Sequence, residues 1–186
     1  YYAEIDRVGQ TVLRGVALSL GLPDGFFADR YRKPLARGSL VHYPPQPPDL
    51  GTEQFGVGTH TDYGCVTFVC QDDSGGLQAR NRAGEWIEAP PIPGTLVVNI
   101  GDLLARWTND VFRSTPHRVV NRSGRDRYSL AVFYDPDIDA DVSAIPSCLA
   151  PGEVPRYAPT TCGAHVLAMF EAAFAYRKEK AAPAEA

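Results

Sequence analysis

His60 and Asp62 lie two residues apart in the run Gly58-Thr59-His60-Thr61-Asp62-Tyr63-Gly64. In an extended segment, residues i and i+2 project from the same face, so the imidazole and the carboxylate converge. Such a pair offers two donors to a divalent metal. His117, at the start of another strand-like run, is a candidate third. Two imidazoles and one carboxylate on one face of an octahedron leave three positions open, the donor set that suits non-haem Fe(II) and its co-reactants. Alone, a His-x-Asp pair is a weak signal, because polar alternation on a half-exposed strand often produces it.

A second pair strengthens the first. Arg127 and Ser129 share one face of the apolar run Arg127–Tyr134, a face that continues through Ala131 and Phe133 toward the interior. An arginine facing a core needs an anion, and the guanidinium fork beside a hydroxyl suits a carboxylate. An internal ion pair is the plainer explanation of Arg127 by itself. With His117 only ten residues upstream, a ligand carboxylate held near a metal accounts better for both.

The rest of the chain supplies the frame. Ile5, Val8, Val12, Val16 and Leu20 recur at helical spacing and predict a helix over 2–20, ended by Gly21 and Pro23. Asp24 is placed to cap a short second helix through Tyr31. Ser39–Tyr43 reads as a strand before a loop carrying Pro44, Pro45, Pro47 and Pro48. Short β-like runs follow at Cys65–Cys70, Leu77–Arg80, Glu85–Glu88, Thr95–Ile100, His117–Asn121 and Arg127–Tyr134, with Gly- and Asn-bearing turns between them. Residues 163–180 return to helical period, with Val166, Leu167, Phe170, Ala173 and Phe174 on one stripe. The expected order is helix, antiparallel β core, helix.

Composition narrows the class. A chain of 186 residues is enough for one buried core. Its 18 basic and 22 acidic residues give a net charge of −4, with no basic stripe to follow a nucleic-acid backbone. No apolar run is long enough for a membrane span, and no secretory leader is legible. Cys65, Cys70, Cys148 and Cys162 form no Cys-x-x-Cys pair, and Cys65 and Cys70 fall on opposite faces of one strand. Four free thiols in a reducing, cytoplasmic compartment are the expectation.

Several pieces, in order, resemble the 2-oxoglutarate- and Fe(II)-dependent dioxygenases of the isopenicillin N synthase-like family. They are His60-Thr61-Asp62, Asn99-Ile100-Gly101-Asp102-Leu103, Trp107-Thr108-Asn109, His117-Arg118-Val119 and Arg127-Tyr128-Ser129. The resemblance extends weakly upstream to Tyr43-Pro44-Pro45 and downstream to the last helix. It implies a mainly β fold with flanking helices, the double-stranded β-helix (a cupin-like jelly roll). It also implies that residues 1–186 form one catalytic unit: a helical lead-in (1–36), a jelly-roll core (37–135), and a C-terminal loop and helix (136–186). The N-terminal region usual in the family is absent from this sequence, which begins at Tyr1.

By the same resemblance, His60, Asp62 and His117 bind Fe(II), while Arg127, Ser129 and Tyr43 hold the distal carboxylate of 2-oxoglutarate. Dioxygen is the co-reactant. Oxidative decarboxylation of 2-oxoglutarate would drive hydroxylation, desaturation or ring closure of a small organic substrate. One position departs: where plant members often carry Asn two residues before the tyrosine, this chain has Val41. Two alternatives stay open, an Fe(II) oxidase like isopenicillin N synthase that needs no 2-oxoglutarate, and a non-catalytic metal-binding jelly roll.

Other polar residues read as supporting ones. His42 falls on the opposite face from Val41 and Tyr43, and His165 belongs to the final helix. Asp102 reads as a helix N-cap and Trp107 as core. Asn99, polar within an apolar strand, either bonds a neighbouring loop or points into a pocket, and Tyr63 is placed at the mouth. No serine hydrolase elbow, phosphate loop or His-Glu-x-x-His helix is present.

Overall fold

A computed structural model describes residues 1–45 and 56–173 of the chain. Helix α1 (Tyr2–Ser19) is followed by β1 (Leu35–Tyr43), β2 (Val57–His60), β3 (Val66–Gln71), β4 (Leu77–Arg80), β5 (Trp86–Glu88) and β6 (Val97–Ile100). Then come α2 (Asp102–Trp107), β7 (His117–Val119), β8 (Arg127–Asp135) and α3 (Cys162–Ala173). The strands form two antiparallel four-stranded sheets, ordered β1-β8-β3-β6 and β2-β7-β4-β5. This crossed-over pair of sheets is the expected jelly roll.

Strand β8 shows why the core and the site lie on opposite sides of one sheet. Val132 and Tyr134 are fully buried in the same cluster as Ile5, Leu13, Val16 and Ala17 of α1. The alternate residues Arg127, Ser129, Ala131 and Phe133 face the second sheet. Helix α1 presses close: a Cβ on Gly9 would lie 2.4 Å from Cε1 of Tyr134. The Tyr134 hydroxyl donates to Asp6 Oδ1 (2.5 Å) and accepts from Gln10 Nε2 (3.0 Å). Burying side chains such as Ile5 and Leu13 stabilises this docking by roughly 1.5–3 kcal/mol each. Between the sheets the fully buried apolar cluster is small, formed by Tyr43, Leu77 and Val119. The inter-sheet space stays partly open.

Several boundaries differ from the sequence reading. β1 begins at Leu35 rather than Ser39, because it stays in register with β8 out to Asp135. The helix expected from Asp24 is only a 3-10 turn at Ala28–Arg30; the Asp24 carboxylate accepts from Arg14 Nη2 at 2.9 Å instead of capping. β7 stops at Val119, since Asn121 leaves the ladder and donates Nδ2–H to the carbonyls of Tyr43 (3.0 Å) and Arg125 (2.9 Å). On α3, Val166 and Phe170 turn toward a cavity while Leu167, expected on the same stripe, is 60% exposed. Pro47 and Pro48, Phe174 and the extension of this helix to residue 180 lie outside the described residues. Cys65 is buried and Cys70 exposed, and all four cysteines are free. No helix among the described residues is long and apolar enough to cross a membrane.

Candidate metal centre

His60 ends β2 and pairs in register with His117, which opens β7. The two rings lie on one face with centroids 4.2 Å apart. Asp62 lies beyond the end of β2, not in the extended segment its spacing suggested. It still converges with the histidines because α2 pins its backbone. The N–H groups of Asp102 and Leu103, at the start of α2, donate to the carbonyls of Asp62 (2.7 Å) and Gly64 (3.0 Å). Gly101 must be glycine for this approach, since a Cβ there would lie 2.2 Å from the Gly64 oxygen. Asp102 is therefore the first helical residue rather than the cap; its Oδ2 accepts from Thr61 Oγ1 at 3.0 Å.

The three side chains present donors to one point. Asp62 Oδ1 lies 3.8 Å from His60 Nε2 and 3.7 Å from His117 Nε2, and one ligand atom from each residue falls within 4.8 Å of the others. Each Nδ1 faces a carbonyl, Gly58 O for His60 (2.9 Å) and Thr115 O for His117 (3.0 Å). A carbonyl only accepts, so each Nδ1 carries the hydrogen and each Nε2 turns a lone pair to the common point. Asp62 Oδ2 is buried without a hydrogen-bond partner. A buried carboxylate with one orphan oxygen, and its other oxygen within 4 Å of two imidazole Nε2 atoms, is costly alone and suits a divalent cation.

Two cavities meet at this point. One, of about 220 Å³, is lined by Tyr43 and Val41 of β1, Asn99 of β6, and Arg127 and Ser129 of β8, together with His60, Asp62 and His117. Arg127 is 1% exposed, and its guanidinium carbon sits 4.7 Å from the centre of the Tyr43 ring. Its fork is partly engaged: Nε donates to Gly75 O (2.6 Å) and Nη2 to Gln71 Oε1 (3.2 Å), while Nη1 has no partner. The Asn99 amide nitrogen is likewise buried and unpartnered, so this side chain points into the pocket rather than to a loop. Neither Gln71 nor Gly75 stood out in the sequence. Their role depends on the β3–β4 turn folding back over β8, which no local pattern encodes.

The other cavity, about 400 Å³, is lined by Leu35, Arg37, Tyr63, Phe133, Asp135, Val166 and Phe170, again with His60 and Asp62. Tyr63 stands at this mouth, edge-on to Phe170. Asp135 Oδ1 accepts the Cys65 N–H (2.6 Å), and burial pushes its carboxyl up to about 6. Arg37 did not stand out in the sequence, because the strand expected from Ser39 in fact begins at Leu35 and places Arg37 on the face of Ser39, Val41 and Tyr43.

The supporting residues fall largely where expected. His42 stacks on Tyr128 and its Nε2 lies 2.7 Å from Asp126 Oδ1, away from the site. His165 Nε2 lies 2.9 Å from Tyr63 O, and burial pushes its pKa down. Trp107 is core. Asn109, in a left-handed conformation (φ 50°), receives the Arg156 N–H and donates to Glu153, which ties the end of α2 to the later loop.

A jelly roll with two histidines and one aspartate at the meeting of two inter-sheet cavities defines a class of metal-site proteins built on this scaffold. The chain belongs to the 2OG-Fe(II) oxygenase superfamily, whose family model matches residues 30–136. It is 37% identical over 192 residues to a 2-oxoglutarate-Fe(II) type oxidoreductase of Emericella nidulans, covering 100% of this chain and 55% of the relative. It is 42% identical over 173 residues to a homoarginine-6-hydroxylase of Oryza sativa subsp. japonica, covering 90% and 52%. The crystal structure of a full-length Neurospora crassa protein in complex with alpha-KG and thymine superimposes with a TM-score of 0.87 at 33% identity, covering 93% of this chain and 55% of that one. The chain thus spans about half the length of these relatives.

Proposed function

We propose that this chain is the catalytic portion of an oxygenase that couples oxidative decarboxylation of 2-oxoglutarate to oxidation of a small organic molecule. In this reading His60 and His117, through Nε2, and Asp62 hold Fe(II). Arg127 receives the distal carboxylate of 2-oxoglutarate, with Ser129 and Tyr43 beside it. The observation that carries the reading is a pair of buried orphans in one cavity. Asp62 Oδ2 wants a cation and Arg127 Nη1 wants an anion, and the same 220 Å³ space is open to both residues.

When bound, the metal supplies open coordination positions at which 2-oxoglutarate and dioxygen meet. The chain's residues do the rest. Gly58 O and Thr115 O fix the imidazole tautomers, and the start of α2 holds the backbone of Asp62. Gln71 and Gly75 hold the guanidinium against the Tyr43 ring, so its remaining donors are already aimed when a carboxylate arrives. Asn99 offers an amide donor to the same cavity, in which Val41 offers none. The second cavity, opening on the same metal point, is where the substrate would sit. A relative named for homoarginine hydroxylation and a neighbour holding alpha-KG and thymine support a small-molecule substrate.

The test is to incubate the Fe(II)-reconstituted chain with 2-oxoglutarate and oxygen and to measure succinate and carbon dioxide. Equimolar release of both, dependent on iron, is expected. Stoichiometric iron binding without succinate would favour the 2-oxoglutarate-independent oxidase. Absence of both would leave a non-catalytic jelly roll.

A further inference from the structure

The inner face of β1 and β8 carries an arginine toward each end. Arg127 pairs in register with Tyr43, and Arg37 with Phe133, six residues along. At about 3.3 Å per residue the two positions are about 20 Å apart along the strand. Arg127 lies in the smaller cavity and Arg37 in the larger, and His60, Asp62 and Phe133 line both. A molecule held at Arg37 therefore shares a cavity with the metal point from the side opposite Arg127.

The environment of Arg37 is that of a recognition group. Its guanidinium carbon lies 4.7 Å from the centre of the Phe133 ring and 5.2 Å from that of Phe170. Contact with two rings holds the planar group by its faces and leaves its N–H edge free. Arg37 makes no hydrogen bond, and no ion pair within 4.0 Å, with any described residue. Two carboxylates line the same cavity: Asp62 belongs to the metal set, and Asp135, on the neighbouring strand β8, is 5% exposed and already accepts the Cys65 N–H at 2.6 Å. The remaining lining is mainly apolar or aromatic (Leu35, Tyr63, Phe133, Val166 and Phe170), and no second Lys or Arg lines it among the described residues. A cavity of about 400 Å³ matches a small ligand with an apolar body.

We propose that Arg37 is the substrate-recognition residue and that the substrate is a small monocarboxylic acid with an apolar or aromatic body. This rests on the oxygenase reading above. The acid would dock its carboxylate on the free edge of Arg37 and direct its body past Phe133 toward the metal point. With one cationic side chain lining the cavity among the described residues, and the metal point taken up by its own ligands and cosubstrate, the preference is for one anionic group.

The test compares acids with neutral amides of the same shape. Phenylacetate and phenylacetamide, then hexanoate and hexanamide, are titrated calorimetrically into the anaerobic Fe(II)- and 2-oxoglutarate-loaded chain. The same titrations are repeated on the metal-free chain, so that failure of the cosubstrate reading does not obscure the result. Wild type should bind at least one acid about tenfold or more tighter than its amide, a difference of about 1.4 kcal/mol. Arg37→Gln should erase that preference, and Arg37→Lys should keep part of it. Three results would overturn the proposal: no acid preference in wild type, an undiminished preference in Arg37→Gln, or weakened 2-oxoglutarate binding in Arg37→Gln, which would make Arg37 a cosubstrate residue.

Discussion

His60 and His117 stand opposite each other across β2 and β7, and each imidazole Nδ1 lies against the carbonyl two residues earlier in the chain, Gly58 O at 2.9 Å and Thr115 O at 3.0 Å. The local device is the same on both strands, and Asp62 closes the set between them. The three should therefore act as a unit. His117→Ala should lower Fe(II) affinity by more than about 100-fold, beyond the range seen when only a supporting hydrogen bond of a metal ligand is lost. His165→Ala should leave it unchanged, since His165 Nε2 meets the Tyr63 carbonyl and is not one of the three converging donors. Metal analysis after anaerobic loading and gel filtration reads both outcomes.

Gln71 is a positioning residue for Arg127, accepting from Nη2 at 3.2 Å. Removing one such hydrogen bond costs about 1 kcal/mol. Gln71→Ala should thus raise the 2-oxoglutarate dissociation constant about fivefold, with iron content unchanged. Equilibrium titration of the loaded variant checks this.

Two glycines on α1 should respond oppositely to alanine. At Gly9 a Cβ would collide with the Tyr134 ring at 2.4 Å, whereas at Gly15 nothing lies within 4 Å. Gly9→Ala should destabilise by about 1–3 kcal/mol through overpacking. Gly15→Ala should gain up to about 1 kcal/mol of helix propensity. Thermal unfolding of the two variants side by side measures the contrast.

Asp135 makes the metal-free chain pH-dependent. Burial raises its carboxyl from 3.8 to about 6, opposed in part by the Cys65 N–H and by the charge of Arg37. The folded state then holds the proton more tightly than the unfolded state. Stability from this group is full below about pH 4, falls as pH rises toward 6, and is flat above that. Asp135→Asn keeps an acceptor for Cys65 and removes the buried charge, so it should stabilise by about 1–3 kcal/mol at pH 7.5 and by little at pH 4. Denaturant unfolding at the two pH values tests it.

The strand runs, the long first helix and the convergence of His60, Asp62, His117, Arg127 and Ser129 on one cavity were legible because period-two alternation and motif spacing are local properties. The sequence also marked Gly101-Asp102 without saying why. The reason is non-local: the start of α2 comes within reach of the carbonyls of Asp62 and Gly64, about forty residues earlier. Arg37 and the Gln71–Gly75 support were hidden for the same reason, since β1 and β3 flank β8 only after the sheet closes. Asp24 misled the reading because a cap and an ion-pair partner look identical in sequence; tertiary contact with Arg14 decided it.

In the proposed arrangement one cavity holds the metal at one end and the cosubstrate carboxylate at Arg127. Titrating 2-oxoglutarate into the anaerobic Fe(II) chain, wild type against Arg127→Gln, tests it most directly. A charge-assisted bond is worth roughly 1.5–3 kcal/mol, so Arg127→Gln should weaken 2-oxoglutarate binding by about one to two orders of magnitude. Iron should stay bound, and Arg127→Lys should recover only part of the loss. Unchanged 2-oxoglutarate affinity in Arg127→Gln, or no binding by wild type, would contradict the account.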